Sequence, residues 1–145
     1  MLAVLRDPDP RGPRPDPQPG LADLPGLIAQ VEAAGVPVTA TTEGTGPPLP
    51  AGLDLAAYRI VQEALTNVVK HAPGSRARVA VRRRSGELTI EVRNPAHLAG
   101  PVVPGQGLRG MAERVALYDG QLEAGPHADG FRVYARFPMP DREDA

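Results

Sequence analysis

The helical pattern over residues 53–71 constrains the fold more than any other part of the sequence. Its apolar side chains recur at the i, i+3, i+4, i+7, i+8 and i+11 positions, which is the period of one buried helix face. The pattern stops at Pro73-Gly74, a pair that ends helices. We therefore predict a helix over 53–71 whose apolar stripe consists of Ala57, Ile60, Val61, Ala64, Leu65 and Val68.

The remaining periodicity predicts two more helices and five strands. Asp23 is the predicted N-cap of the first helix, and Pro25 falls in its first turn. The predicted order is a helix at 23–34, a strand at 36–42, the helix at 53–71, strands at 76–83 and 87–93, a long loop at 94–107, a helix at 108–118, and strands at 121–124 and 131–137. This order indicates an α/β (α+β) two-layer sandwich, in which helices cover one face of a mixed β-sheet.

Composition restricts the partners of the chain. Its 145 residues suffice for one domain with a core. A net charge of -1 argues against a nucleic-acid partner held by phosphate contacts. Because no apolar run approaches the roughly 20 residues of a membrane helix, we expect no membrane contact and a cytoplasmic location. The lack of cysteine excludes disulfides and thiolate metal sites.

A proline-rich stretch sets the expected domain boundary. Residues 7–20 contain six prolines, which a helix interior cannot accommodate, so they indicate an extended linker. We therefore expect residues 1–20 to form a linker, residues 21–140 the globular domain and residues 141–145 a tail.

A row of polar side chains accompanies the apolar stripe of the long helix. At about 100° per residue, Glu63, Asn67, Lys70 and His71 fall on one neighbouring stripe. An amide oxygen can ligate Mg²⁺, and a carboxylate one turn away can orient an attacking group or accept its proton. A lysine one turn further can meet phosphate oxygens. The alternative is a solvated polar edge with i, i+4 pairs.

The run EALTNVVKH at 63–71 closely resembles the N-box of the GHKL ATPase superfamily, which includes gyrase-type enzymes and histidine kinases. The longer run AAYRIVQEALTNVVKHA is similar to the version in sensor kinases paired with helix-turn-helix response regulators. The resemblance implies a Bergerat-type ATP-binding fold with ATP and Mg²⁺ as cofactors. It implies Asn67 as the Mg²⁺ ligand and Glu63 as the catalytic carboxylate near the γ-phosphate. Lys70 and His71 would lie near the phosphates.

A second motif, GQGLRGM, occupies residues 105–111. Three glycines could simply permit a tight turn. They also end a loop and open a predicted helix, where free backbone N–H groups and the helix dipole favour an anion. The segment resembles the G2 box of the same kinases. The resemblance implies that the nucleotide is bound by Gly105, Gly107, Leu108 and Gly110.

The sequence departs from the family at the G1 box, a DxGxG run that should follow the strand at 87–93. Asn94 stands where an aspartate would accept a hydrogen bond from the adenine amine, and both glycines are replaced. An asparagine carbonyl can still accept that bond, so Asn94 is the expected adenine contact. Pro95 fixes its own φ, so the path of the loop should differ. Phe131 stands near a position that is often threonine in the family.

Residues 1–6, MLAVLR, resemble the last turn of the helical hairpin that dimerises histidine kinases and carries their phosphorylated histidine. None of the three histidines replaces that group, because His71 lies in the N-box, His97 in the predicted loop and His127 in a predicted hairpin turn. We therefore expect a remnant of the hairpin within 1–20. We expect the chain to be a fragment, a mis-started reading frame or a shortened gene product. Without the hairpin, we expect it to be a monomer.

The resemblance implies the ATP-binding catalytic domain of a sensor histidine kinase. Such a domain passes the γ-phosphoryl of Mg-ATP to a histidine on the dimerisation hairpin, here missing or separate, in two-component signal transduction. The hairpin and a response regulator are the implied protein partners. Two alternatives stay open: a stand-alone serine kinase of the anti-sigma type, and a degenerate module that binds a partner without turnover.

Overall fold

The computed structural model describes residues 18–95, 106–128 and 130–139, with the backbone alone for residues 106–108. A 3-10 turn at Leu21–Asp23 leads into the first helix. The elements are α1 (Leu24–Ala33), β1 (Val38–Glu43), α2 (Ala51–His71), β2 (Ala77–Arg84), β3 (Glu87–Asn94), α3 (Gln106–Ala116), β4 (Gln121–His127) and β5 (Gly130–Pro138). No helix in these described ranges is long and apolar enough to cross a membrane.

The strands form one five-stranded sheet in the order β1-β2-β3-β5-β4. β1 pairs with β2 in parallel, and α2 makes the crossover between them. The other three pairings are antiparallel, so the sheet is mixed. The pairing places Asn94, at the end of β3, opposite Phe131 near the start of β5. The predicted mixed sheet is confirmed.

The helices cover one face of the sheet because the apolar residues of the strands alternate. In β3, Leu88, Ile90 and Val92 are buried and point to the same side. α2 lies over β2 and β3, and its predicted apolar stripe is fully buried. The largest side chains with almost no exposure are Phe137, Ile60, Leu65, Leu88 and Ile90. The predicted two-layer arrangement is therefore confirmed.

The first helix begins and ends largely as its sequence predicts. Pro25 lies in its first turn, and Gly35 follows it with a φ of 100°, which favours glycine. Asp23 occupies the N-cap position, but its carboxylate accepts the Gly20 N–H at 2.8 Å and makes no cap bond. Asp54 accepts the Leu21 N–H at 2.9 Å and so ties this segment to α2.

Element boundaries differ from the prediction where tertiary contacts decide them. β1 begins at Val38, where its pairing with β2 starts, and the buried Val36 lies before it. β4 continues to His127, which pairs with Gly130, so the prediction that His127 lies in the hairpin turn is wrong. The predicted loop at 94–107 is also too long, since Asn94 belongs to β3 and α3 begins at Gln106. The part of that loop at 96–105, with His97, lies outside the described residues.

Candidate functional site

The predicted polar row lies on the C-terminal half of α2. Glu63 and Asn67 are half-buried, while Lys70 and His71 in the last turn are exposed. The partial burial of the first two residues is expected, because they border the buried apolar face of the helix. All four therefore stand together on one edge of the helix, as the sequence predicts.

The four side chains of this row make no hydrogen bond or ion pair with any residue in the described ranges. The same helix does form such a contact elsewhere, since the Arg59 guanidinium donates to Gln62 Oε1 at 2.7 Å. The alternative interpretation was a solvated edge stabilised by i, i+4 pairs. These four side chains form no such pair within the described ranges. An amide, a carboxylate and two basic groups therefore lie along one edge of α2.

Asn94 is the last residue of β3 and lies near the C-terminal end of α2. It is only 3% exposed, and its side chain lies on the helix side of the sheet with that of Val92. Its Nδ2 donates to Ser75 Oγ at 2.8 Å and to the Arg76 carbonyl oxygen at 2.6 Å. Because both acceptors belong to the segment that leaves α2, Asn94 joins the end of β3 to the C-terminal end of that helix.

Sequence reasoning missed Gly130, which controls the packing around Asn94. A Cβ at this position would overlap the Asn94 carbonyl oxygen and crowd the backbone of Pro95. Only a residue without a side chain lets β5 start this close to the end of β3. Asp129-Gly130 is a hairpin dipeptide, which signals a turn but not this contact.

The glycine motif lies on the first turns of α3. Gly107, Leu108 and Gly110 are helical, while Gly105 lies outside the described residues. A Cβ on Gly52 would meet the hydroxyl of Tyr118, so the chain just after α3 touches the start of α2. The two helices pack against each other.

The arrangement suits a phosphate-bearing ligand with a magnesium ion. Helix N-termini present free N–H groups to anions, and a lysine adds a point charge. The described residues include no group of three or more His, Asp or Glu side chains that could hold a metal ion. Mg²⁺ often takes only one or two protein oxygens and keeps its waters. The Asn67 amide, with Glu63 one turn away, therefore fits such an ion.

The sequence is similar to bacterial sensor kinases. It is 32% identical over 123 residues to the sensor histidine kinase YxjM of Bacillus subtilis (strain 168), covering 83% of this chain and 30% of that protein. It is 30% identical over 117 residues to the signal transduction histidine-protein kinase/phosphatase DegS of Brevibacillus brevis, covering 77% of this chain and 30% of that protein. The chain thus spans less than a third of the length of these relatives. No protein-family model matches the sequence.

The fold is also similar to solved structures. The blue-light activated histidine kinase of Erythrobacter litoralis superposes with a TM-score of 0.67 at 18% identity, over 83% of this chain and 45% of that one. At that identity the likeness shows the fold alone. It agrees with the mixed sheet and the helix layer described above.

Proposed function

Since this chain belongs to the sensor histidine kinases and forms their ATP-binding catalytic domain, we propose that it binds Mg-ATP between α2 and the start of α3. The observation that supports this site is the row of Glu63, Asn67, Lys70 and His71, which has no partner within the described ranges. Asn67 would hold Mg²⁺ through its amide oxygen. The ion, when bound, would neutralise charge on the phosphate oxygens.

The other residues of the row would act on the attacking group or on the phosphates. Glu63 lies one turn from Asn67 and would orient the attacking group or accept its proton. Lys70 and His71 would contact phosphate oxygens, and the N–H groups between Gly105 and Gly110 would bind them at the start of α3. Phosphoryl transfer needs mainly positioning and charge stabilisation, which these groups supply.

Asn94 would recognise adenine through its carbonyl oxygen, as an uncharged acceptor. The bonds that its nitrogen donates to Ser75 and Arg76 hold the carboxamide in one orientation. Adenine recognition would thereby depend on the segment that connects α2 to β2. An aspartate here would have no nitrogen to donate. In Asn94, by contrast, the bonds from Nδ2 fix the carboxamide whose oxygen would accept the hydrogen bond from adenine.

The γ-phosphoryl would pass to a histidine on a dimerisation hairpin outside this chain and from there to a response regulator. The similarity to YxjM and DegS supports this destination, and we propose that the reaction takes place in the cytoplasm. A partner-binding module without turnover is the second candidate, favoured by Asn94-Pro95 at the place of the G1 box.

Calorimetric titration with a non-hydrolysable ATP analogue tests the proposal. We expect saturable binding in the micromolar range that requires Mg²⁺. Absence of binding at millimolar analogue would overturn the proposal and favour the partner-binding module. Binding that is indifferent to Mg²⁺ would retain ATP as the ligand but contradict the role of Asn67.

A further inference from the structure

The face of the sheet that the helices leave open carries a row of arginines. Arg78 in β2 pairs in register with Arg93 in β3, and Arg93 pairs with Arg132 in β5. Alternation along each strand places the three side chains on the open face, opposite the buried Val79 and Val92. Like charges directly opposite each other destabilise a sheet, so this row calls for a compensating anion.

Carboxylates compensate one arginine of this row, Arg132, and two further arginines on the same face. The ion pairs join Arg82 to Glu43 at 3.3 Å, Arg132 to Glu91 at 3.6 Å and Arg136 to Glu87 at 2.6 Å. Arg132 also lies 4.6 Å from the centre of the Tyr134 ring. Arg78 and Arg93 are exposed and have no carboxylate partner among the described residues. Positive charge therefore accumulates at the end of the sheet where β2 begins and β3 ends.

A pocket of about 250 Å³ lies at this end of the sheet. Its basic lining consists of Arg76, Arg78, Arg93 and His127. Pockets for drug-sized ligands measure about 300–1,000 Å³, so this one suits a smaller group. Guanidinium groups bind phosphate oxygens in a bidentate manner, and two opposed arginines can share one anion.

We propose that Arg78 and Arg93 bind a small ligand with a phosphate or diphosphate group in this pocket, which adjoins the proposed adenine contact because Asn94 also lines it. The Arg93 side chain faces the open side of the sheet, whereas the Asn94 side chain faces the helices, so the arginines would hold the ligand from the side away from α2. The ligand would neutralise Arg78 and Arg93 together. The proposal rests on the uncompensated charges of Arg78 and Arg93 and does not depend on the proposed kinase function.

Inorganic pyrophosphate without Mg²⁺ is the first probe, titrated into the whole chain by calorimetry. We expect one saturable site, and a higher melting temperature when it is occupied. Arg78→Gln and Arg93→Gln should each weaken binding by about tenfold or more, because hydrogen bonds to charged groups are the strong ones. Arg84→Gln is the matched control, since Arg84 is exposed at the opposite end of β2. It should leave the affinity unchanged.

Lys70→Gln separates this site from the proposed nucleotide site, because Lys70 is a proposed phosphate contact there, and it should not change pyrophosphate binding. ADP titrated into Lys70→Gln then identifies the source of the group. If ADP binds more tightly than pyrophosphate and its binding depends on the arginines, the ligand is a nucleoside diphosphate. If ADP binds more weakly than pyrophosphate, the ligand is a free diphosphate. No saturable pyrophosphate binding in the millimolar range would overturn the proposal. Equal weakening by Arg84→Gln would also overturn it, because it would show attraction by net charge only.

Discussion

At the scale of single residues, Asn67 carries the most specific chemical assignment. Asn67→Ala removes an amide oxygen without disturbing the buried stripe of α2, so the fold should persist. We expect the affinity for an ATP analogue in Mg²⁺ to fall by at least about tenfold, since even the outer-shell partners of a metal ion are worth that much. Calorimetry with and without Mg²⁺ measures the effect.

Thr66→Ala is the matched control for Asn67→Ala. Thr66 is the neighbouring half-buried residue of α2 and lies outside the polar row. The Thr66→Ala protein should bind the ATP analogue with the same affinity as the unsubstituted chain. Equal Mg²⁺ dependence in all three proteins would show that Asn67 is not a ligand.

Asn94 has a structural role that its place in the sequence does not reveal. In Asn94→Asp a carboxylate oxygen would replace Nδ2 and face the Arg76 carbonyl oxygen, where no hydrogen bond can form. We expect a loss of about 1–3 kcal/mol in the free energy of unfolding, the usual result of an unsatisfied buried polar group. Urea denaturation followed by circular dichroism measures it.

Ser75→Ala removes only one acceptor of the Asn94 Nδ2. Its effect on the free energy of unfolding can therefore be compared with the larger effect of Asn94→Asp. Its cost should be near that of one neutral hydrogen bond, about 0.5–1.5 kcal/mol. If Asn94→Asp were as stable as the unsubstituted chain, the bond to Arg76 would not be the structural link that we infer. An ATP analogue should bind the folded Asn94→Asp protein at least as well, because a carboxylate is the stronger acceptor.

At the scale of elements, local periodicity predicts the type of each helix and strand but not where tertiary contacts end them. α2 and β3 were predictable, since apolar residues recur along each of them at the period of its buried face. The end of β4 was not predictable, because the pairing of His127 with Gly130 depends on the neighbouring strand. The row on α2 was predictable from spacing, whereas the bonds of Asn94 join residues 18 and 19 positions away.

The β4–β5 hairpin depends on the absence of a side chain at Gly130. Gly130→Ala would force a methyl group into the Asn94 carbonyl oxygen and separate β5 from β3 at this end. We expect a loss of about 1–3 kcal/mol, as for other overpacked positions. The midpoint of chemical denaturation measures the change.

Gly125→Ala tests the same substitution in the partner strand. Nothing lies within contact distance of a Cβ at Gly125, so this variant should be at least as stable as the unsubstituted chain. Similar destabilisation by both variants would attribute the effect to strand glycines in general rather than to the contact with Asn94.

At the scale of the whole molecule, the proposed reaction requires a histidine that lies outside these 145 residues. Mixing the chain with the full-length Bacillus subtilis relative, inactivated in its own ATP site, and radiolabelled Mg-ATP tests this directly. We expect acid-labile label on the acceptor, as for a phosphohistidine. Glu63→Gln should slow the transfer by about 10²-fold or more while analogue binding is retained, because the carboxylate acts on the proton and not on the nucleotide.

Glu113→Gln is the matched control, since Glu113 is an exposed carboxylate on α3. It should transfer phosphate at the normal rate. Analogue binding without any transfer would leave a partner-binding module, and acid-stable label on serine would favour the anti-sigma type of kinase. Transfer at an unchanged rate in Glu63→Gln would confirm kinase activity but show that Glu63 takes no part in the proton transfer. Positioning by the rest of the row would then have to account for the rate.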